Sequence, residues 1–387
     1  MESAVEQNGF VKENEGVLPS SKAHLESVDI LRALAIISVF AFHSQEVLLS
    51  SYYVKVVRDT WFWFPHEGGW KRIFWSLSPS TFGWFGVELF LLLSGFLIHH
   101  NTLKKDLPVN WMDFLSKRFW RIYPAYFLAI LVFGFAMGPF SALDWVLHLL
   151  LIHNLYEPTF FGINGSFWSL ALEAQLYLVY PVLLLMRGRW GMGRTTLIIA
   201  GLSLVTLLVQ QWVGPFGSSF KVSIARLWIT WALGAWIAEH YSDGRLLFKR
   251  HVLWMVFLIL IFPLVVFSFI RPFLLRYVLV LLSALLLEYV IWKWRVPPKL
   301  KGMWKTVYQM FLLVGVSSYS FYLFHQPFLP FIYAWLPFEG IFGGQLLECV
   351  FVFVFIALCS YGIFVSIELP FIRIGQRLRR RSSTKLP

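Results

Sequence analysis

Long apolar runs alternate with short polar connections along almost the whole chain. Runs of roughly twenty mostly apolar residues, enough for a helix to cross about 30 Å of hydrocarbon, lie at 28–49, 82–100, 119–137, 166–186, 195–213, 224–240, 252–270, 273–292, 311–335 and 345–367. The pattern predicts an all-α polytopic membrane helix bundle of about ten transmembrane helices. The run 141–155 is an eleventh candidate, but it is short and carries Asp144, His148 and His153.

Charge parity decides how that run is read. Basic residues cluster at Lys104, Lys105, Lys117, Arg118 and Arg121, at Arg187, Arg189 and Arg194, at Arg245, Lys249 and Arg250, at Lys293 to Lys305, and at Arg373 to Arg381. Cytoplasmic loops carry the excess of Lys and Arg, and all five clusters share one side only if 141–155 does not span. It is therefore expected to be a re-entrant or interfacial segment on the outer side, with both termini cytoplasmic. The loop 50–81 dissents, since Lys55, Arg58, Lys71 and Arg72 fall outside against Asp59 and Glu67. The first 25 residues are polar and lack the apolar core of a cleavable signal, so the first span reads as a retained anchor. No internal repeat, linker or second soluble domain is visible.

Composition agrees and removes several classes. Of 387 residues 58% are hydrophobic and 14% charged, where a soluble domain carries about a quarter charged residues. Cys349 and Cys359 are ten apart in one apolar run, about 15 Å on a helix, too far to bridge. A disulfide scaffold or cysteine zinc site is excluded, and no metal is expected. The net charge of +12 sits in loops between spans, which is a matter of topology and not of nucleic-acid binding.

Ionisable residues inside spans are costly, and each is a candidate for function. Arg32 and His43 are eleven apart, within about 20° of three full turns, so they share a face with Arg32 about 16 Å nearer the inner side. An arginine snorkelling to lipid phosphates and a histidine bonded to a neighbouring helix would produce the same pattern. Depth counting adds His325 near the level of His43, and places Glu88 and Glu173 roughly 9 to 11 Å from the outer face, near the same level. Four such groups at one depth are expected to form a reaction centre or an ion path. The second constellation is KRFWRIYP at 117–124, with Arg118 and Arg121 at the cytoplasmic rim. Paired guanidinium forks there match phosphate oxygens, or serve as a stop signal against anionic lipid.

The segments VDILRALAIISVFAFH (28–43), GVELFLLLSGFLI (86–98), KRFWRIYP (117–124), NGSFWSLALEAQLYLVYP (164–181), RLWITWALGAWIAE (226–239), SSYSFYLFHQPF (317–328) and SIELPFIRIGQRLRR (366–380) resemble, in order and spacing, the membrane acyltransferase-3 family. The resemblance implies a ten-span protein of the cell membrane that moves an acyl group, usually acetyl, from cytoplasmic acyl-CoA to a hydroxyl of a sugar or other acceptor. It divides the chain into a disordered cytoplasmic N-terminus (1–25), an acyltransferase-3-like transmembrane domain (26–371) and a basic cytoplasmic tail (372–387). The family's Arg and His correspond to Arg32 and His43, its Arg-x-x-Arg to Arg118 and Arg121, and its last acidic residue to Glu368. On this reading Arg118, Arg121, Arg32 and Glu368 bind the donor acetyl-CoA or another acyl-CoA. His43 acts as a base or as a transient acyl carrier.

Glu173 or Glu88 would then orient the imidazole, with His325 at the same level. Ser166, Trp168 and Tyr177 would shape the acceptor site, for which a glycan, a lipid-linked sugar or a small hydroxyl compound all qualify. Two departures from the family stand out. The loop 50–81 is long and rich in aromatics (Trp61, Phe62, Trp63, Phe64, Trp70, Phe74, Trp75), suited to an acceptor groove or to interfacial anchoring. The sequence stops soon after the basic tail, so transfer is expected to finish within the membrane domain or with a separate partner. The alternatives are a proton-coupled transporter built on the His and Glu cluster, and a structural membrane protein. Inverted repeats, which would favour transport, are not evident.

Overall fold

The computed structural model describes residues 21–48, 79–104, 109–213, 217–266, 271–294, 297–336 and 344–383. Most of the loop 50–81, with its four basic residues and its aromatics, lies outside the described residues, as do residues 1–20 of the N-terminal segment. Among the described residues there is no strand. The helices are α1 (Ser21–Leu48), α2 (Gly86–Leu103), α3 (Trp111–Ala136), α4 (Ala142–Leu149), α5 (Trp168–Val213), α6 (Ile224–Ser242), α7 (His251–Val266), α8 (Arg271–Lys293), α9 (Gly302–Val316), α10 (Ser318–Ala334), α11 (Gly344–Ile363) and α12 (Leu369–Ser383). The chain is an all-helical, multi-pass membrane protein. Among the described residues six stretches are long and apolar enough to cross a membrane, or seven if a bent pair is one span.

α1 is the hub, packed against α2, α9, α10 and the 3-10 turn Pro79–Phe85 that leads into α2. It is apolar nearly all round, which is why Leu31, Ala33, Ala35 and Ile36 are fully buried. Its N-terminal half joins α2, α6 and α8 in one apolar cluster, and its C-terminal half joins α3, α10 and α11 in another. α2 and α6 approach closely, because Gly95 faces the Trp231 carbonyl and Gly234 faces that of Leu92, where a Cβ would collide with backbone. Small residues at such crossings are how membrane helices gain packing without a hydrophobic drive.

Not every expected span is a separate straight rod. The runs 166–186 and 195–213 form one helix of 46 residues, broken at Gly191 with φ +77°, a conformation open to glycine. Before the break, Tyr180 packs on Trp231 and Arg187 meets Glu239. After it, Gly193 faces Trp236 and Ser203 bonds the Arg226 carbonyl. The order along α6 rises and then falls, so α5 folds back on itself at Gly191 and still provides two runs.

The run 311–335 is not one rod. α9 and α10 meet at Ser317 with a bend of 77°, so counting depth through it as a straight helix fails. In the run 252–270 the described residues form α7, His251–Val266.

The segment 141–155 forms only the eight-residue α4, capped by a reciprocal Ser141 and Asp144 box, followed by short 3-10 turns. At about 12 Å it does not reach across a bilayer. At the two ends the helices run further than expected. α1 begins at Ser21, ahead of the boundary at 26, and α12 continues from Leu369 to Ser383 through most of the stretch read as a tail.

Candidate active site

A cavity of about 440 Å³ opens where α1, α2, α3, α5, α10 and α12 converge. Residues of α2 from Val87 to Asn101 line it, and those fourteen steps amount to about 21 Å along the helix. The cavity therefore runs through much of the membrane's depth. Its charged lining is lopsided: Arg32, Lys117, Arg118, Arg121 and Arg379 against Glu173.

Helix starts and spacings place these groups. α3 begins at Asn110, whose side chain accepts from the Asp113 amide at 3.0 Å. The first turns of α3 therefore present Lys117, Arg118 and Arg121 to the cavity. Lys117 is tied to Asp113, and Arg379 approaches the same carboxylate at 3.4 Å. Arg32 is held by Asp29 at 3.0 Å, one turn before it on α1. Arg118 lies over the Phe114 ring, 4.2 Å from its centroid. Neither Arg118 nor Arg121 has a carboxylate within ion-pair distance among the described residues. Glu173 accepts from Ser94 at 2.8 Å and from Tyr177 one turn away.

At the deep end Tyr322 closes the cavity. Its ring lies 6.1 Å from Phe90, and its hydroxyl is 2.6 Å from that of Ser169 and donates to the Ser166 carbonyl at 3.0 Å. Behind it stands a pair of histidines. The His325 ring is 5.5 Å from that of Tyr322 and 5.3 Å from that of His43. His325 Nδ1 lies 2.9 Å from the Tyr322 carbonyl, so that nitrogen carries the proton and Nε2 presents its lone pair. That Nε2 is buried and has no hydrogen-bond partner. His43 Nδ1 lies 2.7 Å from a Glu46 carboxylate oxygen, which likewise leaves Nε2 as the acceptor. Two imidazoles with free acceptor nitrogens thus stand one aromatic ring away from a deep cationic cavity, an arrangement able to hold a polyanion and to take a proton at its inner end.

The acyltransferase-3 family model, described as an acyltransferase domain, matches residues 25–365. The chain belongs to this acyltransferase family. The peptidoglycan O-acetyltransferase OatA of Listeria monocytogenes is 27% identical over 211 residues, covering 48% of this chain and 28% of that protein. The acyltransferase MdmB of Streptomyces mycarofaciens is 27% identical over 220 residues, 53% of this chain and 51% of that protein. The putative peptidoglycan O-acetyltransferase YrhL of Bacillus subtilis is 24% identical over 355 residues, 79% of this chain and 48% of that protein. The chain therefore spans about half or less of the length of these curated relatives. No solved structure matches it significantly.

In this family member the residues expected at one level do not all meet. His43 and His325 do. Glu88 instead pairs with Arg276 at 3.0 Å and accepts from Thr230 at 2.8 Å, between α2, α6 and α8. Glu173 faces the cavity, and the carboxylate beside His43 is Glu46. Depth along an axis says nothing about rotation around it, and α2 turns Glu88 away from α1.

Glu368 does not line the cavity. It is buried in a π-turn (Phe364–Glu368), accepts from Ser320 at 2.9 Å, and feels the charges of Arg121 and Arg32. Of the residues assigned to the acceptor, only Tyr177 lines the cavity. Ser166 bonds Gln326, and the Asn164 amide bonds the Leu323 carbonyl at 3.1 Å, so this loop braces α10. Trp168 stacks on Phe160 at 6.2 Å. Glu46 was legible as the carboxylate one turn beyond His43, whereas Lys117, Ser94, Tyr322 and Arg379 lie in segments that the sequence singles out but acquire their place at the cavity only in the folded arrangement.

Proposed function

We propose that this protein is an integral membrane O-acyltransferase that takes an acyl group, acetyl in the simplest case, from cytoplasmic acyl-CoA and delivers it to a hydroxyl of a glycan-like acceptor. The observation that carries this reading is the cationic cavity leading to Tyr322 and the histidine pair. Arg118 and Arg121 bind phosphate oxygens of the donor at the mouth, where guanidinium forks are uncompensated. Arg32, deeper in, holds the thioester arm or a phosphate. Ser169 and Tyr322 flank the end of that arm.

The acceptor hydroxyl approaches His43 from the outer half. Its oxygen bonds to the acyl carbon as its proton passes to His43 Nε2, the carbon–sulfur bond breaks, and the proton is returned to the departing thiolate. Glu46 keeps Nδ1–H in place throughout, as the carboxylate of a hydrolase triad does. Names of relatives such as peptidoglycan O-acetyltransferase favour a glycan acceptor. Proton-coupled transport loses its footing, because the four groups on which it rested do not converge.

The test supplies membranes carrying the protein with acetyl-CoA labelled in the acetyl group, followed by mass spectrometry of the envelope glycans. Alkali-labile label on glycan is expected. Label that never leaves acetyl-CoA, with glycans unchanged when the protein is removed, would overturn the reading. Sidedness is tested separately: Phe161→Cys should react with an impermeant thiol reagent on intact cells and Arg245→Cys only after lysis. The reverse pattern would put the donor on the wrong face.

A further inference from the structure

The polar stretch following Glu368 is not a loose tail. α12 contributes Ile372, Gln376 and Arg379 to the cavity wall, and steps of four and three put them on one face of the helix. The adjoining face is seated on α3. The Phe371 ring stacks on Trp120 at 6.3 Å and 17°, and a Cβ on Gly375 would run into the same indole. From Phe371 to Arg379 the partners on α3 fall from Trp120 to Asp113, so the two helices run antiparallel and Arg379 arrives at the cavity mouth beside Lys117 and Arg118. Asp113 pairs there with Lys117 and Arg379, while Arg118 and Arg121 line the same cavity without a carboxylate at ion-pair distance among the described residues. One terminal nitrogen of Arg379 is buried with no hydrogen-bond partner. A buried donor left unpaired is costly unless a ligand satisfies it.

We propose that Arg379 is a further donor-binding residue, forming with Arg118 and Arg121 a guanidinium clamp on the phosphate groups of acyl-CoA that is complete only while α12 is docked on α3. The proposal rests on the acyl-CoA reading above. The competing role for Arg379 is a structural tie to Asp113, and the test separates the two. Arg379→Ala and Arg379→Lys are compared with wild type for the Michaelis constant (KM) of acetyl-CoA, the KM of the acceptor, and the affinity for adenosine 3′,5′-bisphosphate, which carries the charges of the donor's nucleotide end without an acyl arm.

The Ala variant should raise the acetyl-CoA KM about tenfold or more, weaken the bisphosphate in parallel, and leave the acceptor KM unchanged. Lys, which keeps the charge and can reach Asp113, should recover only part of the donor affinity, and it stands in if the Ala variant fails to accumulate. Lower kcat or yield with donor KM and bisphosphate affinity intact would assign Arg379 to structure and overturn the clamp. So would no change in any quantity. If the wild type transfers nothing from acetyl-CoA yet its bisphosphate binding depends on Arg379, the clamp stands and the transfer reading falls. A wild type that binds neither overturns both.

Discussion

Around the basic cavity, cations outnumber carboxylates, and among the described residues two guanidiniums lack an ionic partner. Around His43 and His325 the surroundings are aromatic: Phe42, Phe321 and Tyr322 rings lie 5.2, 6.0 and 5.5 Å away, and each imidazole has one nitrogen committed and one free. The first region is arranged to gather charge, which works best when fixed cations are left uncompensated near an opening. The second is arranged to accept a proton in a place where water is scarce. Tyr322 touches both. The contrast implies that donor affinity and chemical rate answer to different residues, and the predictions probe that separation.

The largest effect should come from His43→Ala. Transfer should fall by about a hundredfold or more, the usual contribution of a positioned base, with equal protein in the membrane and an unchanged donor KM. Residual activity above about a tenth would remove His43 from the chemistry. Next, Glu46→Gln should lower kcat by about tenfold to hundredfold, less than replacing the fully enclosed carboxylate of a hydrolase triad costs, since Glu46 is 39% exposed. A change confined to donor KM would contradict the division of labour. Arg121→Ala should do the reverse, raising the acetyl-CoA KM about tenfold with kcat little altered, and Lys should restore it poorly.

A second histidine pair provides an internal control. His148 and His153 are fully buried, and their rings stack at 3.8 Å and 8° next to the short outer helix α4, away from the cavity. If histidines mattered here only as packing, His153→Phe would cost as much activity as His43→Phe; it should change transfer less than about twofold. The pair should instead be felt in stability against pH. Burial, followed by the neighbouring His148, holds the His153 pKa down at about 3, whereas an unfolded chain titrates near 6.5. Between those values the unfolded state binds the extra proton, so thermal stability should be complete above about pH 6.5 and decline as pH falls toward 3. His153→Phe should flatten that decline, and a wild-type melting temperature independent of pH over this window would count against it.

Much of this arrangement could be read from residue spacing. The eleven-residue interval from Arg32 to His43 puts one in the cavity and the other beside His325, and the Arg-x-x-Arg at 118–121 faces the cavity as the start of a rim helix. What escaped was rotational or tertiary. Glu88 and Glu173 were placed by depth alone, but α2 turns Glu88 to Arg276 and Thr230, and α5 holds Glu173 at the cavity wall against Ser94 and Tyr177. α12 looked like a solvated tail because Arg373 to Arg381 dominate its composition, while Phe371 and Gly375, four apart, form the face that meets Trp120. Arg379 acquires its setting from that contact.

The break at Ser317 has an electrical consequence. A helix that crossed unbroken would keep its N-terminal end at the membrane surface, but the 77° turn starts a new 17-residue helix at the cavity wall, where Ser318 and Tyr319 of its first turn are exposed to the cavity. The aligned peptide units of such a helix are equivalent to roughly half a positive charge at that end, and its leading amide groups have no partner in a preceding turn. The carbonyl end of α9 meets it at Ser317 and offsets part of that charge, so the bend leaves at the cavity wall a short-range set of backbone donors that no titration can remove and no side-chain rotation can withdraw.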